Sequence, residues 1–533
     1  MRTHDPRFLT AATRVLLVSL TLVVAVVVSP PADASSSGVS TISAGGSHTC
    51  ALMASGGVKC WGGNWDGQLG DGTMTSRIIP VDVTGLTSGV EAISAGHSHT
   101  CALMATGGVK CWGFNETGQL GDGTTMDRTI PVDVSGLSSG VEAIAAGGYH
   151  TCALMATGGL KCWGHNFHGQ LGDSTTMDRT IPVDVSGLSS GVAAISANIR
   201  HTCALMATGG VTCWGWNGEG ELGDGTRKER HTPVGVSGLS SGVAAISAGY
   251  LHTCALMATG GVKCWGNNGW GQLGDGTTTD RTTPVDVSGL SSGVEAVAAG
   301  GYHTCALMAT GGVKCWGWNL DGELGDGTTR DRHTPVDVSR LSSGVAAVSP
   351  GGLYACALMA TGGVKCWGDN AAGQLGDGTT TMRTTPVRVV FPGPDAQIKR
   401  STHTSYVGEG VFNTSGVSQT VRSQVKPGES AAFSIQIQNE STSNDSFLAK
   451  GCGDSSGFTV RYWEGSTNVT SAVVSGSYTT GMLAPAEQAF LAAKVSARST
   501  ATVGALKSCL LTATSQASPT KQDAVRFKVG VTT

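Results

Sequence analysis

Charged side chains make up only 14% of this 533-residue chain, and aromatic ones only 5%. So little charge excludes a fold held by ion-pair networks, so the ordered part must rest on apolar packing and backbone pairing. Long hydrophobic runs are as scarce. Past the N-terminus no segment approaches the roughly 20 apolar residues that a membrane-spanning helix needs. No Cys-x-x-Cys pair occurs, so neither a zinc ribbon nor a thioredoxin-like site is indicated. No Gly-rich phosphate loop opens a helix, and no Ser/His/Asp set can be picked out from residues that recur in every repeat. What the chain has in excess is glycine, 80 residues in all, the composition of short strands joined by tight turns.

The one long apolar run, Val15 to Val28, follows Arg2, Arg7 and Arg14 and precedes Ala32-Asp33-Ala34. That is the order of a secretory signal peptide over residues 1–34, with an uncleaved N-terminal anchor as the alternative. Either reading puts the rest of the chain outside the cytoplasm, secreted or at the cell surface. Sixteen cysteines, an even number, suit that oxidising setting.

Fourteen of those cysteines keep time. Cys50, Cys101, Cys152, Cys203, Cys254, Cys305 and Cys356 are each 51 residues apart, and each is followed ten residues later by Cys60, Cys111, Cys162, Cys213, Cys264, Cys315 or Cys366. Setting Cys254 opposite Cys264 leaves Ala258-Thr259-Gly260 as a three-residue hairpin loop, with glycine where a left-handed residue is required. Directly opposed cysteines at a non-hydrogen-bonded pair are about 4.5 Å apart at Cα, within reach of a disulfide. Free buried thiols are the alternative. Each unit holds four short strands, the last being Pro-Val-x-Val, so seven units over residues 38–391 predict an all-β, seven-bladed β-propeller. The array opens without a preceding Pro-Val-x-Val strand and ends on one. The expectation is therefore that Pro386–Val389 completes the first blade, pairing with Thr41–Ala44.

The recurring stretch His-Thr-Cys-Ala-Leu-Met, Gly-Gly-Val-Lys-Cys-Trp-Gly-x-Asn-x-x-Gly-Gln-Leu-Gly-Asp-Gly resembles the repeat of the regulator of chromosome condensation family over residues 38–391. The resemblance implies a seven-bladed propeller. It also implies a choice of functions, because the family includes a guanine-nucleotide exchange factor, plant photoreceptors and a secreted bacterial propeller that inhibits β-lactamase. Exchange in that family uses a wedge inserted in one blade, whereas every copy here keeps the same length.

Seven copies in one chain show which positions the fold demands. The tryptophans from Trp61 to Trp367, the arginines from Arg77 to Arg383 and the aspartates from Asp71 to Asp377 never change, as expected of packing and turn-fixing residues. A histidine precedes Thr-Cys in six copies, with Tyr354 in the seventh, and reads as a hydrogen-bonding element rather than a metal ligand. Asn64–Gly67 briefly resembles a calcium loop, but its Asp becomes Thr, His, Glu, Trp or Ala in five of the other six copies, so a repeated calcium site fails. Variation clusters before that histidine and around the invariant Asn, two loops that strand direction places on one face. Trp65, Phe114, Tyr149, Phe167, Trp216, Tyr250, Trp270, Tyr302 and Trp318 lie there, and aromatics on loops of a rigid scaffold suit recognition of an extracellular protein or a glycan. Free drift of unused loops would give the same pattern.

Residues 38–391 carry 19 Lys+Arg against 27 Asp+Glu, a net of −8, which makes nucleic acid a poor partner. Beyond a linker at 392–398, residues 399–533 alternate as strands do and suggest an immunoglobulin-like β-sandwich bridged by Cys452 and Cys509. The reading that results is a secreted, non-enzymatic binding protein with neither cofactor nor metal and of undetermined oligomeric state. An extracellular enzyme inhibitor is its sharper form. A propeller lyase or hydrolase, or exchange-factor-like activity, stands as the alternative.

Overall fold

Each 51-residue repeat folds as one antiparallel sheet of four strands. The computed structural model describes residues 38–391, 394–403, 406–407, 419–441, 444–484, 487–517, 519 and 521–533. The segment read as a signal, 1–34, therefore lies outside the described residues. The first repeat forms β1 (Val39–Ala44), β2 (His48–Met53), β3 (Val58–Gly62) and β4 (Arg77–Asp82), hydrogen-bonded in chain order. Six further sheets repeat this order, so the repeats build the ring of a β-propeller with seven four-stranded sheets.

The hairpin has the expected register. Cys50 lies opposite Cys60, and the amide of Met53 donates to the Gly57 carbonyl at 2.8 Å. The loop between them ends at Gly56, whose φ of +78° is left-handed and open at little cost only to glycine. All seven hairpins are stapled by disulfides with Cα separations of 4.0–4.1 Å. After Trp61 the chain turns sharply at Gly62, where φ is +102° and a Cβ would come 2.6 Å from the Ser47 carbonyl. That turn aims the Asn loop at the neighbouring sheet.

Neighbouring sheets are joined by an indole contact used seven times, with a threonine hydroxyl beside it at six of them. The Gln68 carbonyl accepts from Trp112 Nε1 and from Thr100 Oγ1 of the next sheet, both at 2.9 Å. The indoles are completely buried. Burying about 150–250 Å² of indole at about 25 cal/mol per Å² contributes about 4–6 kcal/mol per tryptophan as an upper figure. The first strands line the axis and are laced together by serine, as where Ser43 Oγ accepts from Ala95 N at 2.9 Å.

Closure of the ring departs from expectation. The final strand does not join the first sheet. Val387 pairs with Cys366 of its own repeat, and Val389 N donates to Val364 O at 3.0 Å. Each repeat already contains a complete sheet, so nothing is left to exchange. The first and last sheets meet through the ordinary contact instead, with Trp61 Nε1 donating to the Gln374 carbonyl at 2.9 Å.

The C-terminal region holds two five-stranded sheets around one apolar core. The first is built from Pro394–Arg400, Ser430–Asn439, Gln488–Ala497, Phe458–Glu464 and Thr467–Asn468, and the second from Thr420–Val425, Gln522–Val531, Leu506–Ser515, Phe447–Lys450 and Tyr478–Thr479. Phe433 and Phe527 stack in the core at 5.0 Å, and Cys452 is bonded to Cys509. The stretch read as a linker, 392–398, is a strand from Pro394 onward, because its backbone pairs with Ser430–Asn439. Where Asp82, Asp133, Asp184, Asp286 and Asp337 close their sheets, the last repeat has Arg388, which forms an ion pair with the buried Glu440 of the C-terminal region. No helix among the described residues is long and apolar enough to cross a membrane.

Candidate functional site

The invariant polar residues are absorbed by the scaffold. Asn64 Nδ2 donates to the carbonyls of Thr73 and Thr75 at 3.0 and 3.1 Å, and its Oδ1 accepts from Leu69 N at 2.9 Å. The residue that opened an abortive calcium loop is therefore a loop staple. Arg77 pairs with Asp71 at 2.7 Å. Burial would raise the Asp71 carboxyl, yet bonds from Thr73 and Arg77 hold it below its ordinary value.

The histidines form a belt. His48 Nε2 lies 2.8 Å from Thr100 Oγ1 of the next sheet, and His99, His150, His201 and His252 repeat the contact at 2.8–2.9 Å. Each threonine hydroxyl spends its proton on the Gln or Glu carbonyl described above, so Oγ1 must accept and the histidine must carry its proton on Nε2. Nδ1 is then bare, and in all six it is buried with no partner. Burial pulls His48, His99, His150 and His252 down to about 3, helped by neighbouring histidines, and pulls His201 and His303 down to about 4. The belt breaks at one place. His303 would meet residue 355, which is alanine, so both its ring nitrogens lack a partner. Tyr354 takes the histidine position in the last copy and donates its hydroxyl to the His48 carbonyl across the seam.

The variable loops carry something different. Eight of the nine aromatic candidates join a single network of ring contacts. One path runs Phe114–Tyr149–His97–Tyr250–Tyr302–Trp318–Trp270, with neighbouring ring centroids 4.3–6.5 Å apart. A branch leaves Tyr149 through His165, Phe167 and His168 to Trp216. Trp65 stands apart, 60% exposed. Phe167 and Trp270 are also exposed, at 68% and 41%, while Phe114, Tyr149, Trp216, Tyr250, Tyr302 and Trp318 are half-buried.

His97 is the member that loop variation pointed at only indirectly. It bridges Tyr149 and Tyr250, and its Nδ1 lies 3.0 Å from the Tyr250 hydroxyl. These residues come from the second and fifth repeats, so the bond spans the mouth of the central channel. Burial lowers His97 and raises Tyr250, which keeps both neutral at physiological pH. Beneath them is a cavity of about 90 Å³, lined by Ser, Ala and Gly of the first strands, including Ser43, Ser94, Ser196 and Ala248. It has room for a few waters.

Two further residues escaped the sequence reading. The position before Leu-Gly-Asp is Gln in five copies but Glu221 and Glu323 in the fourth and sixth, both completely buried. In each, one oxygen accepts a loop amide and Oε1 has no partner. Burial pushes Glu221 up to about 7 and Glu323 up to about 8. The alternation was visible as the only change inside an otherwise fixed motif. It coincides with Trp216 and Trp318, since only those two copies place tryptophan five residues earlier.

Comparison with known proteins bears on residues 24–293 and 132–421, which match the family model described as the RCC1-like domain. The ultraviolet-B receptor UVR8 of Arabidopsis thaliana is 32% identical over 352 residues, covering 65% of this chain and 80% of that protein. Human WBSCR16 superposes with a TM-score of 0.57 at 23% identity, covering 63% of this chain and 94% of that one. Yeast RCC1 (Prp20), crystallised with Kap60, superposes with a TM-score of 0.56 at 21% identity, covering 66% and 85%.

Proposed function

From the premise that this chain belongs to the RCC1-like domain family, we propose that it is a non-enzymatic interaction protein working outside the cytoplasm. Its aromatic face engages an extracellular protein or a glycan. The observation that carries this reading is the continuous ring network, which lies wholly on loops that vary while the scaffold beneath them does not. Rigid aromatics of this kind offer large contact area with little conformational entropy to lose. The relatives support an interaction role: one is a receptor, and another is crystallised with a bound partner. Pairing of all sixteen cysteines suits an oxidising compartment, as the signal-like N-terminus requires. The propeller enzyme reading gains little, because the channel is narrow and walled with small residues, and its mouth is spanned by two groups held neutral. We take the C-terminal sheets as an immunoglobulin-like accessory module docked to the last repeat through Arg388 and Glu440.

The test is affinity capture from extracellular fluid together with a glycan array, comparing the intact protein with a Trp65→Ala, Phe167→Ala, Trp270→Ala variant. These side chains are exposed, so the fold should survive their loss. Specific partners should disappear with the variant. Identical partners for both proteins would sink the aromatic-face reading.

A further inference from the structure

The fourth and sixth repeats share an unusual trio: Trp216, Glu219 and Glu221 in one, Trp318, Asp321 and Glu323 in the other. The fourth repeat supplies its own cations. Arg227 Nη1 donates to Glu219 Oε2 and to the Gly218 carbonyl, both at 2.7 Å, and Nη2 donates to Asp280 Oδ2 at 3.1 Å. Arg200 lies over the Trp216 ring, 5.7 Å from its centroid. One repeat thus shows how this loop geometry holds guanidinium groups.

In the sixth repeat both arginines are gone. Position 329 is threonine and position 302 is tyrosine, while the acidic count is unchanged, since Asp369 of the next repeat stands where the equivalent earlier residue is Asn267 and Met382 stands where it is Asp280. Arg330 is exposed and forms no ion pair among the described residues. Trp318 Nε1 is buried there without a partner, and so is Glu323 Oε1, as Glu221 Oε1 is in the fourth repeat. In three of the five Gln copies the atom equivalent to Glu323 Oε1 reaches the side chain five residues earlier, as Gln170 Nε2 reaches His165 and Gln374 Nε2 reaches Asp369. Glu323 Oε1 is therefore directed to the Trp318 position. Trp270 packs edge-on against Trp318 at 4.3 Å, and Tyr302 flanks it at 6.5 Å.

Resting on the aromatic-face reading, we infer that the pocket formed by Trp318, Tyr302, Asp321 and Glu323 binds an arginine side chain presented by a protein partner. The guanidinium stacks on an aromatic face while its N–H groups meet Asp321 and then Glu323, which gives up its proton as the cation arrives; in the fourth repeat Arg200 shows the first mode, and Arg227, on Glu219 and Asp280, the second. Arginine fits better than lysine because the carboxylate sites call for a planar, forked donor. Asp321 and Glu323 are held above their ordinary values by burial and by neighbouring acids, and an incoming cation relieves that repulsion.

The probe is N-acetyl-arginine methylamide, titrated at physiological salt and followed by the indole N–H resonance of Trp318, assigned through Trp318→Phe. A saturating shift is expected, weakened at least tenfold in Asp321→Asn and Glu323→Gln. Thr329→Arg rebuilds the internal cation of the fourth repeat, so it should displace the Trp318 resonance by itself and leave nothing to titrate. No shift, an equal shift with the lysine analogue or with a neutral disaccharide, or normal titration of Thr329→Arg would overturn the inference. If capture by the aromatic face succeeds while this titration fails, the wider reading stands and this one falls.

Discussion

Replacing Glu323 by Gln should stabilise the protein in a way that depends on pH. The side chain is completely buried, and burial raises its pKa from 4.5 to about 8. In the unfolded chain the carboxyl loses its proton near pH 4.5, whereas the folded chain holds it until about pH 8. The folded state therefore binds more protons between these limits. Stability is fully present below pH 4.5 and falls as pH rises towards 8. At about 1.36 kcal/mol per unit, the cost is about 1 kcal/mol at pH 5 and about 4 kcal/mol at pH 8. Gln removes this dependence. It adds an amide with no certain partner, as at Gln119, whose Nε2 is buried and unpaired. That penalty, about 1–3 kcal/mol, does not vary with pH. The difference between variant and parent should therefore move by about 3–4 kcal/mol in favour of Gln from pH 5 to pH 8. Thermal melts of both proteins across that range, followed by near-ultraviolet circular dichroism, measure it as a shift of a few degrees. A gap that stays constant would show that Glu323 is ionised in the folded protein. The same substitution should weaken the arginine pocket, so stability gained and binding lost would appear together.

The histidine belt acts with the opposite sign. The folded pKa values of about 3–4 lie below the unfolded 6.5, so stability is lost as pH falls below 6.5, by about 2 kcal/mol per histidine at pH 5; urea unfolding that is flat between pH 7 and 5 would refute it. Glu221 and Glu323 offset only part of this loss, being two groups against six. Ala355→Thr should give His303 its missing acceptor and add about 1 kcal/mol, read by calorimetry. A Cys254→Ala, Cys264→Ala pair should cost about 3 kcal/mol from the loop entropy alone, measured as a lower denaturation midpoint of the propeller.

Much of the fold was legible because repetition supplied its own controls. Cys50 and Cys60, Gly56 and the three-residue loop fixed the hairpin register by local geometry. The tryptophans announced burial by never changing. Closure was misjudged, since a final strand with no successor looks unpaired until one sees that β4 already completes the first sheet. The linker was misjudged because strand pairing with a segment some forty residues later leaves no local signature in Pro394–Arg400. At the candidate site, the aromatics read onto one variable face include eight members of the ring network, yet not His97, whose role depends on a residue 153 positions away. Glu221 and Glu323 were missed because a single Gln-to-Glu exchange looks conservative until burial makes the charge expensive.

The absence of strand exchange at closure has a consequence at the level of the gene. Every 51-residue unit encodes a whole sheet with its own staple, so in-frame loss or duplication of a unit leaves no half-built element behind. The coding array can also be circularly permuted at any repeat boundary without dividing a sheet. The break in the histidine belt at Ala355, together with Tyr354, marks the junction at which the first and last units came to lie side by side.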